Sequence, residues 1–232
     1  MNVTWITQAG LVFNNGKMTV MVDPYLSNSV AESFDSEKER RIPVDERVFD
    51  IQPDVMIITH DHLDHLDPKT LKKFLCRGGK PITVLAPYNA YMKVREIGDK
   101  AHNYVLLNPH SVWSEGGLTF YAVKAEHSDT TAAGYIIDDG QETFYVSGDT
   151  LYNYDVIDDV IELCEDGVDY AFLPINGVGN NMNAKDAADF AFEIGARCAV
   201  PVHFGLFDNI NPDSFDFDNT LVLEPYVETT LK

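Results

Sequence analysis

Short apolar runs rich in β-branched residues recur along the chain, each closed by a polar residue and then by a segment of different periodicity. Asp54-Val55-Met56-Ile57-Ile58-Thr59 reads as a buried strand. Residues 68–75 then carry Leu71, Phe74 and Leu75 at the spacing of one helix face, with Asp67 placed as its cap and Pro68 at its first position. The alternation continues with a strand at 82–86, a helix at 88–97 and a strand at 104–107. Residues 3–7 and 18–22 read as a hairpin about the turn Asn14-Asn15-Gly16. Strands alternating with helices predict an α/β layer.

The middle of the chain is patterned differently. Apolar runs at 112–113, 118–123, 134–138 and 143–147 are joined by Glu115-Gly116-Gly117 and Asp138-Asp139-Gly140-Gln141, the turn chemistry of antiparallel hairpins. Beyond them the spacing predicts a helix over 155–165, a strand over 168–174, a helix over 184–195, a strand over 198–203 and a last strand at 220–223. Residues 27–50 are polar and charged, with little apolar periodicity, and read as a surface excursion or as a functional loop reaching over a site. Within it Arg40 and Arg41 are candidates for a substrate clamp, set against the plainer reading of a solvated face.

Polar chemistry gathers where the strands stop. In Thr59-His60-Asp61-His62-Leu63-Asp64-His65, His60 and His62 stand two apart on extended backbone, project to one side and can grip one metal ion. Asp64 and His65, further round the turn, face a second. His127 follows the strand at 118–123, Asp149 follows that at 143–147, and His203 closes that at 198–203. In a layered α/β fold, strand ends on one edge converge, so side chains distant in sequence can meet. Asp23, closing the strand at 18–22, is a candidate to accept the other N–H of a ligand histidine. Tyr25 beside it and Asn176 in the turn after 168–174 are further candidates for support or substrate contact. His102 and His110 lie in polar turns and read as surface histidines.

Composition narrows the partners. The chain has 232 residues, 45% of them hydrophobic and 11% aromatic, enough for one domain spanning 1–232 with a large core. A formal charge of −20 opposes attraction to nucleic acid or to an anionic membrane, and leaves a small molecule as the expected partner, with homo-oligomers open. The three cysteines, Cys76, Cys164 and Cys198, form no CxxC pair and read as buried thiols in a reducing compartment. With no basic, apolar leader and no run of about eighteen apolar residues, the expected location is the cytoplasm.

Trp5-x-x-Gln8-Ala9-Gly10, Asp23-Pro24-Tyr25-Leu26-Ser27, Thr59 to Pro68, Ser147-Gly148-Asp149-Thr150, Leu173-Pro174-Ile175-Asn176-Gly177 and Pro201-Val202-His203-Phe204 together resemble the metallo-β-lactamase fold superfamily. Its hallmark is His-x-His-x-Asp-His followed by separated His, Asp and His. Within it the chain resembles, as a short variant, the branch containing the L-ascorbate-6-phosphate lactonases. The resemblance implies an α/β fold, a four-layer αββα sandwich of two mixed sheets. It implies His60, His62 and His127 on one divalent metal and Asp64, His65 and His203 on another, with Asp149 bridging. It implies a hydrolase in which a metal-bridging hydroxide attacks a small ester or lactone, with Asp64 and Asp149 catalytic and Asp64 a candidate proton relay. Histidine-rich ligation suits zinc, while a mixed nitrogen and oxygen site also admits manganese, the metal associated with that branch, or iron.

One departure bears on the substrate. Val178-Gly179-Asn180-Asn181-Met182-Asn183 stands where the lactonases carry an arginine-containing stretch, and it holds no basic residue to meet a phosphate. Two alternatives accompany the leading expectation: a phosphodiesterase using the same metal pair, and a metal-dependent ligand sensor without turnover. A diiron oxygenase is disfavoured because those proteins replace His62 with Glu.

Overall fold

The computed structural model describes residues 1–232. The chain forms two compact units, Met1–Leu106 with Gly205–Asn209 and Leu223–Lys232, and Leu107–Phe204 with Ile210–Val222.

The first unit is built on a seven-stranded mixed sheet. Numbered along the chain, its strands are β1 Asn2–Trp5, β2 Leu11–Asn14, β3 Thr19–Val22, β4 Val55–Ile57, β5 Thr83–Ala86, β6 Asn103–Leu106 and the chain-terminal β13 Glu228–Thr230. Their order is β13-β1-β2-β3-β4-β5-β6. Neighbours are antiparallel from β13 to β3 and parallel from β3 to β6. Because β1 and β3 both run antiparallel to β2, the C-terminal ends of β1, β3, β4, β5 and β6 share one edge. Helices α1 Ser29–Ser33, α2 Pro68–Leu75 and α3 Tyr88–Ile97 complete the unit. Leu71, Phe74 and Leu75 of α2 and Ala90 and Val94 of α3 pack with Met21, Met56 and Val84 from the strands.

Helix α2 starts as expected. Asp67 accepts hydrogen bonds from the Lys69 and Thr70 amides, and Pro68 occupies the first turn. Such a cap contributes about 1 kcal/mol. The segment 27–50 holds α1 and two 3₁₀ turns, Ser36–Lys38 and Glu46–Asp50.

Several expectations are corrected here. The partner of β3 is β2, not residues 3–7, which form β1 and its following turn. Leu11-Val12-Phe13 is buried and pairs on both sides, and the chain reverses at Thr7, whose carbonyl accepts the Gly10 amide at 2.8 Å. His102 is half-buried and not a free surface histidine: its Nδ1 accepts the Ile82 amide at 3.0 Å and its Nε2 lies 3.0 Å from the Leu75 carbonyl. Cys76 is exposed and Cys164 half-buried; only Cys198 lies in the interior. Burial pushes the Cys198 thiol up and the Cys164 thiol to about 11, so neither is primed as a nucleophile.

The second unit carries a six-stranded mixed sheet. Its strands are β7 Val112–Glu115, β8 Leu118–Lys124, β9 Ala133–Asp138, β10 Thr143–Val146, β11 Tyr170–Pro174 and β12 Cys198–Val202. The order is β12-β11-β10-β9-β8-β7, parallel from β12 to β10 and antiparallel from β10 to β7. Since β8 and β10 both run antiparallel to β9, the C-terminal ends of β8, β10, β11 and β12 share one edge. Helices α4 Tyr154–Leu163 and α5 Ala184–Glu193 belong to this unit. The strand expected at 220–223 reduces to one bridge, Thr220 to Ala199.

Gly167, on the approach to β11, has φ +84°, and a Cβ there would lie 2.2 Å from the Gly195 carbonyl oxygen. Both the left-handed backbone and the obstructing peptide exclude a side chain. Gly167→Ala is expected to lower stability by at least ~2 kcal/mol, read as a drop in the denaturant midpoint.

Candidate metal centre

The donors of the first unit sit beyond the C-terminal ends of β3 and β4. The His60 ring lies 4.0 Å from that of His65 and 4.6 Å from that of His62, centroid to centroid. The Asp64 carboxylate comes within 3.9 Å of His65 Nε2. Asp23, His60 and His65 present ligand atoms within 4.8 Å of one another. Asp23 is fully buried. It accepts the Thr59 amide at 2.8 Å and the Thr59 hydroxyl through its two oxygens, and lies 2.8 Å from His65 Nδ1.

These contacts settle the histidine tautomers. An ionised carboxylate only accepts, so His65 carries its proton on Nδ1 and turns the Nε2 lone pair outward. Thr59 Oγ1 gives its proton to Asp23, so at 3.0 Å it accepts from His60 Nδ1. Nε2 of His60 is thereby also left as the donor nitrogen. One buried carboxylate therefore orients two imidazoles, directly and through a hydroxyl, the arrangement that raises ligand basicity in metal sites.

Gln8, in the turn after β1, donates to Asp64 Oδ2 at 2.8 Å and is itself held by Trp5 Nε1, which donates to the Gln8 carbonyl at 2.8 Å. The reading of the sequence assigned no role to Gln8, nor to Thr59. The available signal was an amide-bearing side chain in a tight turn at the end of an apolar strand.

In the second unit three donors converge. Asp149 Oδ2 lies 3.9 Å from His127 Nε2, and Asp149 Oδ1 lies 3.4 Å from His203 Nε2. All three side chains are close to fully buried. The Asn180 carbonyl, 3.1 Å from His127 Nδ1, again dictates an Nδ1 proton and an Nε2 lone pair. Asn180 belongs to the turn after β11, which is tied down where the Met182 amide donates to the Thr150 carbonyl at 2.9 Å. This role of the Asn180 backbone was not legible in the sequence, because a carbonyl of the main chain leaves no mark in the side-chain pattern.

The backbone is strained around these groups. Seven non-glycine residues have positive φ, and four of them, Gln8, Asp23, Asn180 and His203, belong to the donors or to the groups that hold them. Asp and Asn adopt this region readily, but at Gln8 and His203 it costs about 1–2 kcal/mol, a strain that persists where the surrounding structure over-determines it.

The other candidates are placed as follows. The Tyr25 hydroxyl is interior and accepts the Val30 amide at 3.2 Å; burial raises its pKa. Arg40 donates to the Tyr25 carbonyl at 2.7 Å, to Thr7 Oγ1 at 2.8 Å and to Tyr226 Oη at 3.0 Å, so its guanidinium ties loops of the first unit together. Arg41 is engaged by the Asp208 carbonyl and Asn209 Oδ1. Asn176 is 9% exposed and bridges to Asn183. His110, in a left-handed turn, is exposed.

The first unit thus offers two imidazole nitrogens, of His60 and His65, and the second unit one, of His127, with the ring proton held on the far side and a carboxylate nearby. In kind and number, the donors suit divalent transition ions. Residues 18–204 match the family model of the beta-lactamase superfamily domain. The chain belongs to the beta-lactamase superfamily. Among superfamily relatives, it is 28% identical over 222 residues to a UPF0173 metal-dependent hydrolase of Pyrobaculum islandicum, covering 94% of this chain and 90% of that one. It is 27% identical over 229 residues to a UPF0173 metal-dependent hydrolase of Thermoplasma volcanium, covering 92% and 91%. The structure of Igni18, a metallo hydrolase from Ignicoccus hospitalis, superposes with a TM-score of 0.77 at 19% identity, over 100% of this chain and 99% of that one. The fold is the α/β metallo-β-lactamase fold with two mixed sheets. These relatives are metal-dependent hydrolases by name and not lactonases, so the likeness to the lactonase branch bears only on the proposal below. No helix is long and apolar enough to cross a membrane.

Proposed function

We propose that the chain is a dinuclear metal-dependent hydrolase of a small, unphosphorylated ester or lactone. In this reading His60, His62 and His127 hold one divalent cation, Asp64, His65 and His203 hold the other, and Asp149 is shared. The observation that carries it is Asp149, whose two carboxylate oxygens are directed to a different histidine each, 3.9 Å and 3.4 Å away. A carboxylate so divided suits the sharing of two ions rather than the capture of one. The relatives' common description as metal-dependent hydrolases supports the reaction type.

Zinc or manganese, with iron as the third choice, would supply Lewis acidity and lower the pKa of a coordinated water towards about 7. The chain's own residues do the rest. Asp23 and Thr59 keep His65 and His60 in the tautomer that ligates, the Asn180 carbonyl does so for His127, and Gln8 fixes the carboxylate of Asp64. Water adds across the acyl C–O bond: a C–OH bond forms, the C–O bond to the leaving group breaks, and the alkoxide takes a proton for which Asp64 is the candidate carrier. Against a phosphorylated substrate stand the net charge of −20, the engagement of Arg40 and Arg41 within the fold, and the absence of a basic residue from 178–183.

The test is metal analysis coupled to an activity screen of protein expressed with zinc or manganese, on esters, lactones and bis(p-nitrophenyl) phosphate. Hydrolysis of esters or lactones with a metal pair per chain is expected. Hydrolysis of the phosphodiester alone would transfer the proposal to that class, and metal-replete protein inert on the whole panel would leave a ligand sensor. Gln8→Asn, which tolerates a left-handed backbone but is too short to reach Asp64, is expected to weaken metal binding about 10-fold, as read by titration with a competing chelator.

A further inference from the structure

Beside His62 the first unit has a cleft of about 320 Å³. This is at the lower end of the range for small-molecule sites, roughly 300–1,000 Å³. Its walls are Phe34, Leu63, Leu66 and Pro68, with Asp61 and Lys93 at the polar side. Phe34, which ends α1, is 80% exposed, an unusual state for a phenyl ring next to other apolar side chains. Lys93 Nζ lies 2.5 Å from Asp61 Oδ2, so the charges at the polar side offset each other. The cleft therefore favours neither an anionic nor a cationic ligand, and its one ligating side chain is the imidazole of His62.

We propose that this cleft receives the uncharged acyl arm of the substrate, an aliphatic chain of several carbons or a phenyl group, with the scissile carbonyl held on the His62 side. The proposal rests on the hydrolase reading and extends it to the substrate class. A group buried between Phe34 and Leu63 is withdrawn from water, at a gain of up to ~0.8 kcal/mol per methylene. An open cleft realises only part of it. A charged or strongly polar arm would gain nothing there.

The experiment measures kcat/KM of the metal-loaded protein for p-nitrophenyl acetate, butyrate, hexanoate and octanoate, in the wild type and in Phe34→Asp. Because Phe34 is largely exposed, the substitution leaves the core intact. The wild-type ratio of hexanoate to acetate is expected to be about 10 or more, and the Phe34→Asp ratio to fall to about 3 or less. A wild-type ratio near one, or a ratio unchanged by Phe34→Asp, overturns the proposal while the hydrolase reading stands.

A second readout does not depend on turnover. Displacement of N-phenyl-1-naphthylamine fluorescence by 1-hexanol, relative to ethanol, is expected to need several-fold more alcohol in Phe34→Asp than in the wild type. An equal requirement overturns the proposal. If metal-loaded protein hydrolyses neither ester nor lactone, the ester-or-lactone reading fails, and the displacement assay still decides whether the cleft takes an apolar group.

Discussion

Asp149→Ala is expected to abolish retention of the metal pair and to reduce turnover to the background rate, while the fold survives. Asp149 follows β10 at the edge where β8, β11 and β12 also end, and its side chain is 5% exposed, with an oxygen turned to each of His127 and His203. Taking the carboxylate away removes an anionic oxygen from both proposed ions at once. It also leaves one proposed ion with imidazoles alone and the other with Asp64 as its single anionic ligand, too little charge to offset the repulsion between two divalent cations in a poorly solvated site. Asp149 lies just outside β10 and adds no residue to the sheet, so circular dichroism should change little. The measurement is metal content after gel filtration, with kcat/KM on the best substrate of the screen. Asp149→Asn serves as the isosteric control and should lose the pair too, since an amide carries no charge. Two ions per chain and normal turnover in either variant would refute the dinuclear proposal.

The second large effect is expected at Asp23, which touches no substrate. Its carboxylate accepts the Thr59 amide and hydroxyl and lies 2.8 Å from His65 Nδ1, all in the interior. Asp23→Asn keeps the shape, and Asn tolerates the left-handed backbone at φ +41°. But it confronts one of these donors with an N–H. His65 would then be driven toward the other tautomer, with its proton on Nε2 where the lone pair should be. Metal affinity is expected to fall roughly 10–100-fold, with partial recovery of activity at high metal concentration. Asp23→Ala strands the buried donors, each costing about 1–3 kcal/mol, and adds the left-handed penalty of about 1–2 kcal/mol. It should therefore be destabilised outright. Chelator competition and denaturant unfolding separate the two variants. Unaltered metal affinity in Asp23→Asn would contradict the positioning role.

Local signals made much of the scaffold legible. In α2 the cap, the proline and the apolar spacing agree with one another, and the helix spans Pro68–Leu75 as expected. Helix α3 likewise spans Tyr88–Ile97. The hairpins of the second sheet were readable because glycine-rich turns separate apolar runs of strand length. Where local and long-range signals differ, the reading failed. Strand β2 is as apolar as its neighbours, so the sequence alone does not say which run pairs with β3. Strand β13, Glu228-Thr229-Thr230, has no apolar pattern and exists because β1 offers it an edge. In 27–50, the charge of Arg40 suggested an outward-facing clamp, whereas its guanidinium turns inward to oxygens of Thr7, Tyr25 and Tyr226.

The chain sequence by itself determined which side chains are the candidates for metal chemistry. Metal-binding residue types, their two-residue and one-residue spacings and their places at strand ends are properties of local order along the chain. What only the tertiary structure decided is the state in which those side chains are held. Which nitrogen of His65, His60 or His127 carries the proton depends on acceptors at Asp23, Thr59 and Asn180, and the orientation of Asp64 depends on Gln8. Apart from Thr59 beside His60, these pairings span 42, 53 and 56 residues. A tautomer follows the nearest acceptor in space, and sheet register, not residue type, brings that acceptor to the ring.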